Sequence, residues 1–274
     1  MKYLYTTLLC FGIVMQSLAQ QDSTKKSSLT LAAIYGNTAN YFGQTTAEKL
    51  PYLLSYGAYK FKNGIYFSAS GLSLINTSIG FSAVDVAAGY GYNLSENVEG
   101  SVSYTRSFFK QGAPLLQVAN ENNLNADIAI THLFKSYLSA YYAFGTQNDM
   151  FLTFSNSKLI SLGSFSEKDF ISIEPGISVI GGTQRFYETY TAEKKRRKKL
   201  LDPLFPGRPP ESETTTVEST DFGPLAYIFS LPLAYNRSNY SIEASYQASM
   251  AGKKIDGESQ KPVSILNFGV YYQF

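Results

Sequence analysis

The chain has 274 residues, with 23 basic and 21 acidic side chains, a single histidine and a single cysteine. Charged residues make up only 16%, whereas Tyr and Phe number 22 and 19 and Trp is missing. This composition provides no His or Cys pair at metal-ligand spacing, no disulfide framework and no general nucleic-acid surface, so no metal and no cofactor is expected.

Residues 1–19 combine a cationic start at Lys2, an apolar stretch from 8 to 15 and the small-x-small run Ser17, Leu18, Ala19. That is the layout of a secretory signal peptide cleaved at about Ala19. Cys10 lies inside the apolar stretch with Leu9 before it, which does not suit a lipid-modified cysteine, and the mature chain is left without a thiol. Residues 20–27 form a short segment ahead of the first strand, and nothing after them approaches the ~20 apolar residues that a spanning helix requires.

From there the pattern has period two. Twelve segments alternate, at about 28–37, 50–61, 65–73, 84–92, 98–108, 124–133, 136–145, 150–160, 171–179, 225–236, 240–250 and 265–274, and the same pattern accommodates ten or fourteen. In the tenth, Leu225, Tyr227, Phe229, Leu231, Leu233 and Tyr235 share one face. In the eleventh, Tyr240, Ile242, Ala244, Tyr246, Ala248 and Met250 oppose Ser241, Glu243, Ser245, Gln247 and Ser249. In the last, Leu266, Phe268, Val270, Tyr272 and Phe274 share one face to the final residue. A secreted β-sandwich also alternates, but its polar faces meet water and carry many charges. Here the polar face is Ser, Gly, Ala, Asn and Gln with an occasional acid, which favours a closed barrel in lipid, where all backbone groups must be paired.

Connection lengths agree. Those after even strands are compact, at 62–64, 93–97, 133–136 and 237–239, with a longer one at 161–168. Those after odd strands tend to be long, at 37–49, 110–123, 185–221 and 251–261, with 145–149 as the exception. Outer-membrane barrels have short periplasmic turns and longer outer loops. Both termini and the 20–27 segment are therefore expected in the periplasm, and loop 185–221 outside the cell.

The signal ending in Leu18-Ala19-Gln20, the alternating strands and the ending Tyr272-Gln273-Phe274 resemble a Gram-negative outer-membrane β-barrel protein. The resemblance implies an all-β, antiparallel, up-and-down transmembrane barrel over residues 28–274. It further implies outer-membrane lipid and lipopolysaccharide as surroundings, and the barrel assembly machinery as a partner reading Tyr272 and Phe274. The identity of any other protein partner stays open. Outer-membrane hydrolases of this size need their histidine towards the outer leaflet or rim. His132 falls at the opposite end, and no catalytic residue is assigned.

Candidate site residues follow from parity. Glu99, Glu174 and Glu243 face inward just past periplasmic turns, and Asp85 and Asp127 face inward nearer the outer end. Lys60 and Arg106 fall on the lipid-facing parity, so few bases oppose the acids and the lumen is expected to prefer cations, unless the acids bond to lumen Tyr, Ser and Asn in a filled barrel. Arg106, about 19 Å above Val98 for a tilted strand, and Arg185 are candidates for lipopolysaccharide phosphates or for snorkelling to water. The run Lys194, Lys195, Arg196, Arg197, Lys198 and Lys199, followed by prolines and an acidic stretch, is a polyanion-contact candidate that could equally fold back on its own acidic half. The leading expectation is a passive channel for small solutes. The alternative is a non-conducting structural or interaction barrel whose long loop contacts polyanions or a partner protein.

Overall fold

The computed structural model describes residues 26–45, 49–75, 80–115, 120–146, 148–183, 222–252 and 262–274. Its elements are β1 (Ser28–Gly36), β2 (Asn40–Tyr41), β3 (Gln44–Thr45), β4 (Tyr52–Lys60), β5 (Ile65–Leu74), β6 (Phe81–Ser95), β7 (Val98–Phe109) and β8 (Asn122–Thr131). There follow β9 (Lys135–Phe144), β10 (Asn148–Ser157), β11 (Ile160–Gly163), β12 (Asp169–Ile173), β13 (Gly176–Thr183), β14 (Phe222–Arg237), β15 (Tyr240–Ala251) and β16 (Val263–Gln273). Among the described residues no helix forms, and antiparallel neighbours succeed one another around a single sheet that closes where β1 pairs with β16, from Thr30↔Gln273 to Gly36↔Asn267. With β10 continued by β11, and β12 by β13, the barrel has twelve staves, as the alternation predicts.

The alternation sorts side chains by wall face. On β16, Leu266, Phe268, Val270 and Tyr272 are 41–53% exposed while Ile265 and Tyr271 are buried. An apolar shell of this extent is stable only in lipid, and closure leaves no barrel edge to satisfy. Together with the even strand number and the unequal connections, these features define an outer-membrane-type β-barrel. One glycine is required by inward packing: a Cβ on Gly89 would meet the Tyr66 ring at 2.4 Å.

Three strand details differ from expectation. The eighth stave runs on to Gly163, so the connection begins at 164. The ninth is interrupted at Glu174 and Pro175, opposite Pro232 of β14, because proline offers no N–H to the ladder. Pairing survives there as Glu174 N–H donating to the Pro232 carbonyl at 3.1 Å and Lys158 N–H to the Pro175 carbonyl at 3.1 Å. Leu225, expected on the outward face, is turned inward and only 1% exposed, because a register shift between Ile180 and Gly181 pairs Gly181 with Pro224 and reverses parity above it.

Candidate functional site

The lumen has two chemically different halves. Near the short turns it is polar. Glu99 accepts from Lys135 Nζ at 2.7 Å in a pair whose side chains are only 22% and 13% exposed. Asp127 Oδ2 accepts from Ser101 Oγ and Asn125 Nδ2, both at 2.8 Å, and Asn125 Oδ1 accepts from Ser139 at 2.8 Å. Ser157 Oγ donates to Glu174 at 2.6 Å. Glu243 is buried on β15, opposite Ala234 of β14. Asp85, higher on β6, accepts from Ser70 Oγ at 3.2 Å.

Two corrections follow. The acids are not without inward bases: Lys135 pairs with Glu99, and Lys60 shares parity with the buried Tyr52 and Leu54, its Nζ 3.7 Å from where a Cβ would sit on inward-facing Gly91. The parity count fails for Lys60 because β4 is in register with β1 at Ser28↔Lys60 and Thr30↔Ala58, and Thr30 faces the lumen. Asp127 is also deeper than expected. It pairs with Ser101, two residues above Glu99, because the short turn after β8 starts only at His132.

The half near the long connections holds two apolar clusters set among buried polar side chains such as Ser107, Asn123 and Ser249, and the chain itself enters it. After β1, Ala39 and Leu50 pack on the near wall with Ile34, Leu54 and Leu74. Between them a hairpin made of β2 and β3 crosses the lumen. Tyr41 (1% exposed) and Phe42 pack against Tyr141 of β9, Phe151 of β10, Ile180 of β13 and Leu225, Ala226 and Ile228 of β14. In a ring of twelve staves β9 lies diametrically opposite β1, so the Phe42 ring reaches the far wall while the hairpin tip rests against β14 and β15. Phe42 stacks on Phe151 with centroids 3.9 Å apart and planes 19° apart. At the hairpin tip Ser249 Oγ donates to the Gly43 carbonyl at 2.6 Å. Gly43 has φ +79°, and a Cβ there would meet Ala226 Cβ at 2.3 Å.

A buried carboxylate ties this plug to the neighbouring connections. Asp149, 2% exposed, accepts from Asn120 Nδ2 at 2.9 Å and from Thr183 Oγ1 at 2.6 Å, and Asn120 Nδ2 also donates to the Tyr41 hydroxyl at 3.5 Å. Sequence reasoning assigned Asp149 to a short loop. The usable signal was parity, since Asp149 and Phe151 alternate with the outward-facing Met150. The plug also carries mismatched polar groups: neither side-chain polar atom of Asn40 or of Gln44 has a hydrogen-bond partner among the described residues. Burying Tyr41 and Phe42 stabilises the hairpin by roughly 1.5–3 kcal/mol each, while each unsatisfied carboxamide costs about 1–3 kcal/mol. The two contributions are of similar size.

Outside the lumen, Arg106 is lipid-facing as expected, lies over Phe108 at 5.7 Å, and bonds Glu121 at 2.6 Å and Asn122 at 2.8 Å. Tyr272 and Phe274 form an exposed ring pair at 4.6 Å. His132 lies in the turn between β8 and β9, with Nε2 3.2 Å from Ser136 Oγ. Its Nδ1 accepts from Phe134 N–H at 2.9 Å, which leaves the proton of the neutral ring on Nε2, the wrong tautomer for a base that would activate Ser136. Arg185, Lys194 to Lys199, and the signal segment 1–19 lie outside the described residues.

No family model matches the sequence, and no curated protein matches it. Among solved structures the chain is similar to the KdgM porin at 11% identity, with 90% of this chain and 99% of that one covered and a TM-score of 0.47. It is similar to the NanC porin at 8% identity, with 89% and 98% covered and a TM-score of 0.46. LpxR from Salmonella typhimurium matches at 8% identity, with 89% and 99% covered and a TM-score of 0.47. The barrel assignment itself rests on the closed strand pairing of this chain.

Proposed function

We propose that this chain is a passive channel of the Gram-negative outer membrane for small solutes, with a preference for cations and with both termini in the periplasm. The observation that carries the reading is the polar half of the lumen, where Glu174 and Glu243 are both buried on the inner wall and Asp127, paired with Ser101, stands two residues above the Glu99–Lys135 pair. Buried carboxylates in excess over bases raise the local cation concentration. On this reading the signal peptide is removed, Tyr272 and Phe274 serve the barrel assembly machinery, and Arg106 reaches lipopolysaccharide phosphate only by exchanging its exposed bond to Glu121, which is weak at about 0–1 kcal/mol.

The test is conductance of the purified barrel in a planar bilayer under a salt gradient, comparing wild type with the E174Q/E243Q double variant. Discrete steps with a cation-favouring reversal potential that falls in the double variant support the reading. An unchanged reversal potential removes the two glutamates from selectivity. The second reading, a non-conducting interaction barrel, is favoured by the apolar hairpin across the lumen and predicts that neither this protein nor any plug variant produces steps.

A further inference from the structure

We infer that residues 38–45 form a displaceable gate, latched at Asp149, and that the channel opens when this hairpin withdraws from the lumen as a unit. This rests on the channel reading above and adds how the channel is closed.

Four observations converge. First, β2 and β3 form a two-stranded sheet of their own, Asn40↔Thr45 and Tyr41↔Gln44, separate from the barrel ladder. Withdrawal therefore breaks no strand pairing in the wall, and the hairpin keeps its internal bonds while moving. Second, its rings and tip are seated through the Phe42–Phe151 stack, the Tyr41 edge contact to Phe151 at 6.1 Å and the Ser249 bond to the Gly43 carbonyl, while its base is held by Ala39 N–H donating to the Leu50 carbonyl at 2.7 Å and Leu50 N–H to Thr38 Oγ1 at 3.3 Å. Third, Asn40 and Gln44 are buried with amides that have no partner among the described residues, and water would satisfy them in the withdrawn state. Burial of the rings and solvation of the amides thus pull in opposite directions, as a two-state element requires. Fourth, Asp149 sits where the gate can be sensed by other connections. Through Asn120 it reaches the Tyr41 hydroxyl, and through Thr183 it reaches the last residue of β13. Whatever moves Asn120 or Thr183 acts on the hydrogen-bond chain that ends on the plug.

The hairpin tip supplies the most selective probe. Valine at Gly43 would place a Cβ 2.3 Å from Ala226 Cβ in a left-handed backbone conformation, so G43V prevents seating without altering a barrel strand. A second variant replaces 38–45 by a Gly-Ser segment of equal length, which folds even if G43V does not. D149N replaces a carboxylate that accepts from both Asn120 and Thr183 by a neutral amide with one accepting oxygen, and so weakens the latch alone. All are compared with wild type by single-channel recording, with heat-modifiable gel migration to establish that each barrel is folded.

Wild type is expected to show rare openings. G43V and the Gly-Ser variant should raise the open fraction by about tenfold or more, and D149N by a smaller factor with the same unitary conductance. Equal open fractions in wild type and the plug variants overturn the gate and leave the channel standing. An increase in the plug variants with D149N unchanged overturns the latch. Absence of steps in every folded variant overturns the channel reading together with its gate.

Discussion

Lys135 illustrates how much a single side chain decides. Its ammonium neutralises Glu99 in a partly buried pair, where attraction is screened less than at a surface. Replacing it in K135M leaves Glu99 as an uncompensated lumen charge, so cation selectivity should increase and the reversal potential in a salt gradient should move towards the cation limit. An unmoved potential would place the permeation path away from this pair. Gly89 supports a packing prediction. In G89V the Tyr66 ring, 2.4 Å from the new Cβ, must leave its rotamer, and overpacking of this kind costs about 1–3 kcal/mol. The urea midpoint of the detergent-folded barrel should fall, while unitary conductance in properly folded protein should not rise. Parity located Glu99, Glu174 and Glu243 on the inner face from sequence, but their partners were not legible. Lys135 belongs to a different stave, 36 residues along the chain, and register brings it across.

At the scale of elements, the seam between β1 and β16 is the joint that makes a sheet into a barrel. It extends to the final residue, with Phe274 N–H donating to the Leu29 carbonyl at 2.9 Å and Leu29 N–H to the Phe274 carbonyl at 3.4 Å. Deleting Phe274 removes both bonds and the ring contact to Tyr272. Each backbone bond contributes about 0.5–1.5 kcal/mol net, so a modest loss of equilibrium stability is expected. If the ending is also read during assembly, the loss of folded barrel in outer-membrane fractions should greatly exceed the loss in detergent refolding of the same variant. Equal losses in the two measurements would assign Phe274 a role in the seam alone. The interrupted stave of β12 and β13 makes a similar point. Pro175 and Pro232 are visible in the sequence, but only the pairing shows that they lie opposite each other and weaken one level of the wall.

For the whole molecule, the apolar exterior requires insertion into lipid, and the proposed signal peptide makes a prediction of its own. Intact-mass analysis of protein extracted from outer membranes is expected to begin at Gln20, with the nineteen preceding residues removed. A mass that includes Cys10 would overturn the signal assignment. Closure also explains why the plug is tolerated: a barrel with every stave paired keeps its wall independent of what lies inside, so the hairpin can hold orphan amides that a conventional core would exclude.

The sequence by itself determined the barrel, a strand number of about twelve and, apart from positions such as Lys60 and Leu225, which face of each strand meets lipid. These depend on local rules: a side-chain period of two and connections whose lengths alternate. The tertiary structure alone decided whether the lumen is empty, which acids have partners and where Asp149 points. Those outcomes depend on contacts between residues far apart in the chain, set by strand register and by a loop that crosses to the opposite wall. Nothing in the alternation encodes them, because a loop that folds inward and one that reaches outward can share the same composition until the wall beneath supplies Phe151 and Ala226 to receive it.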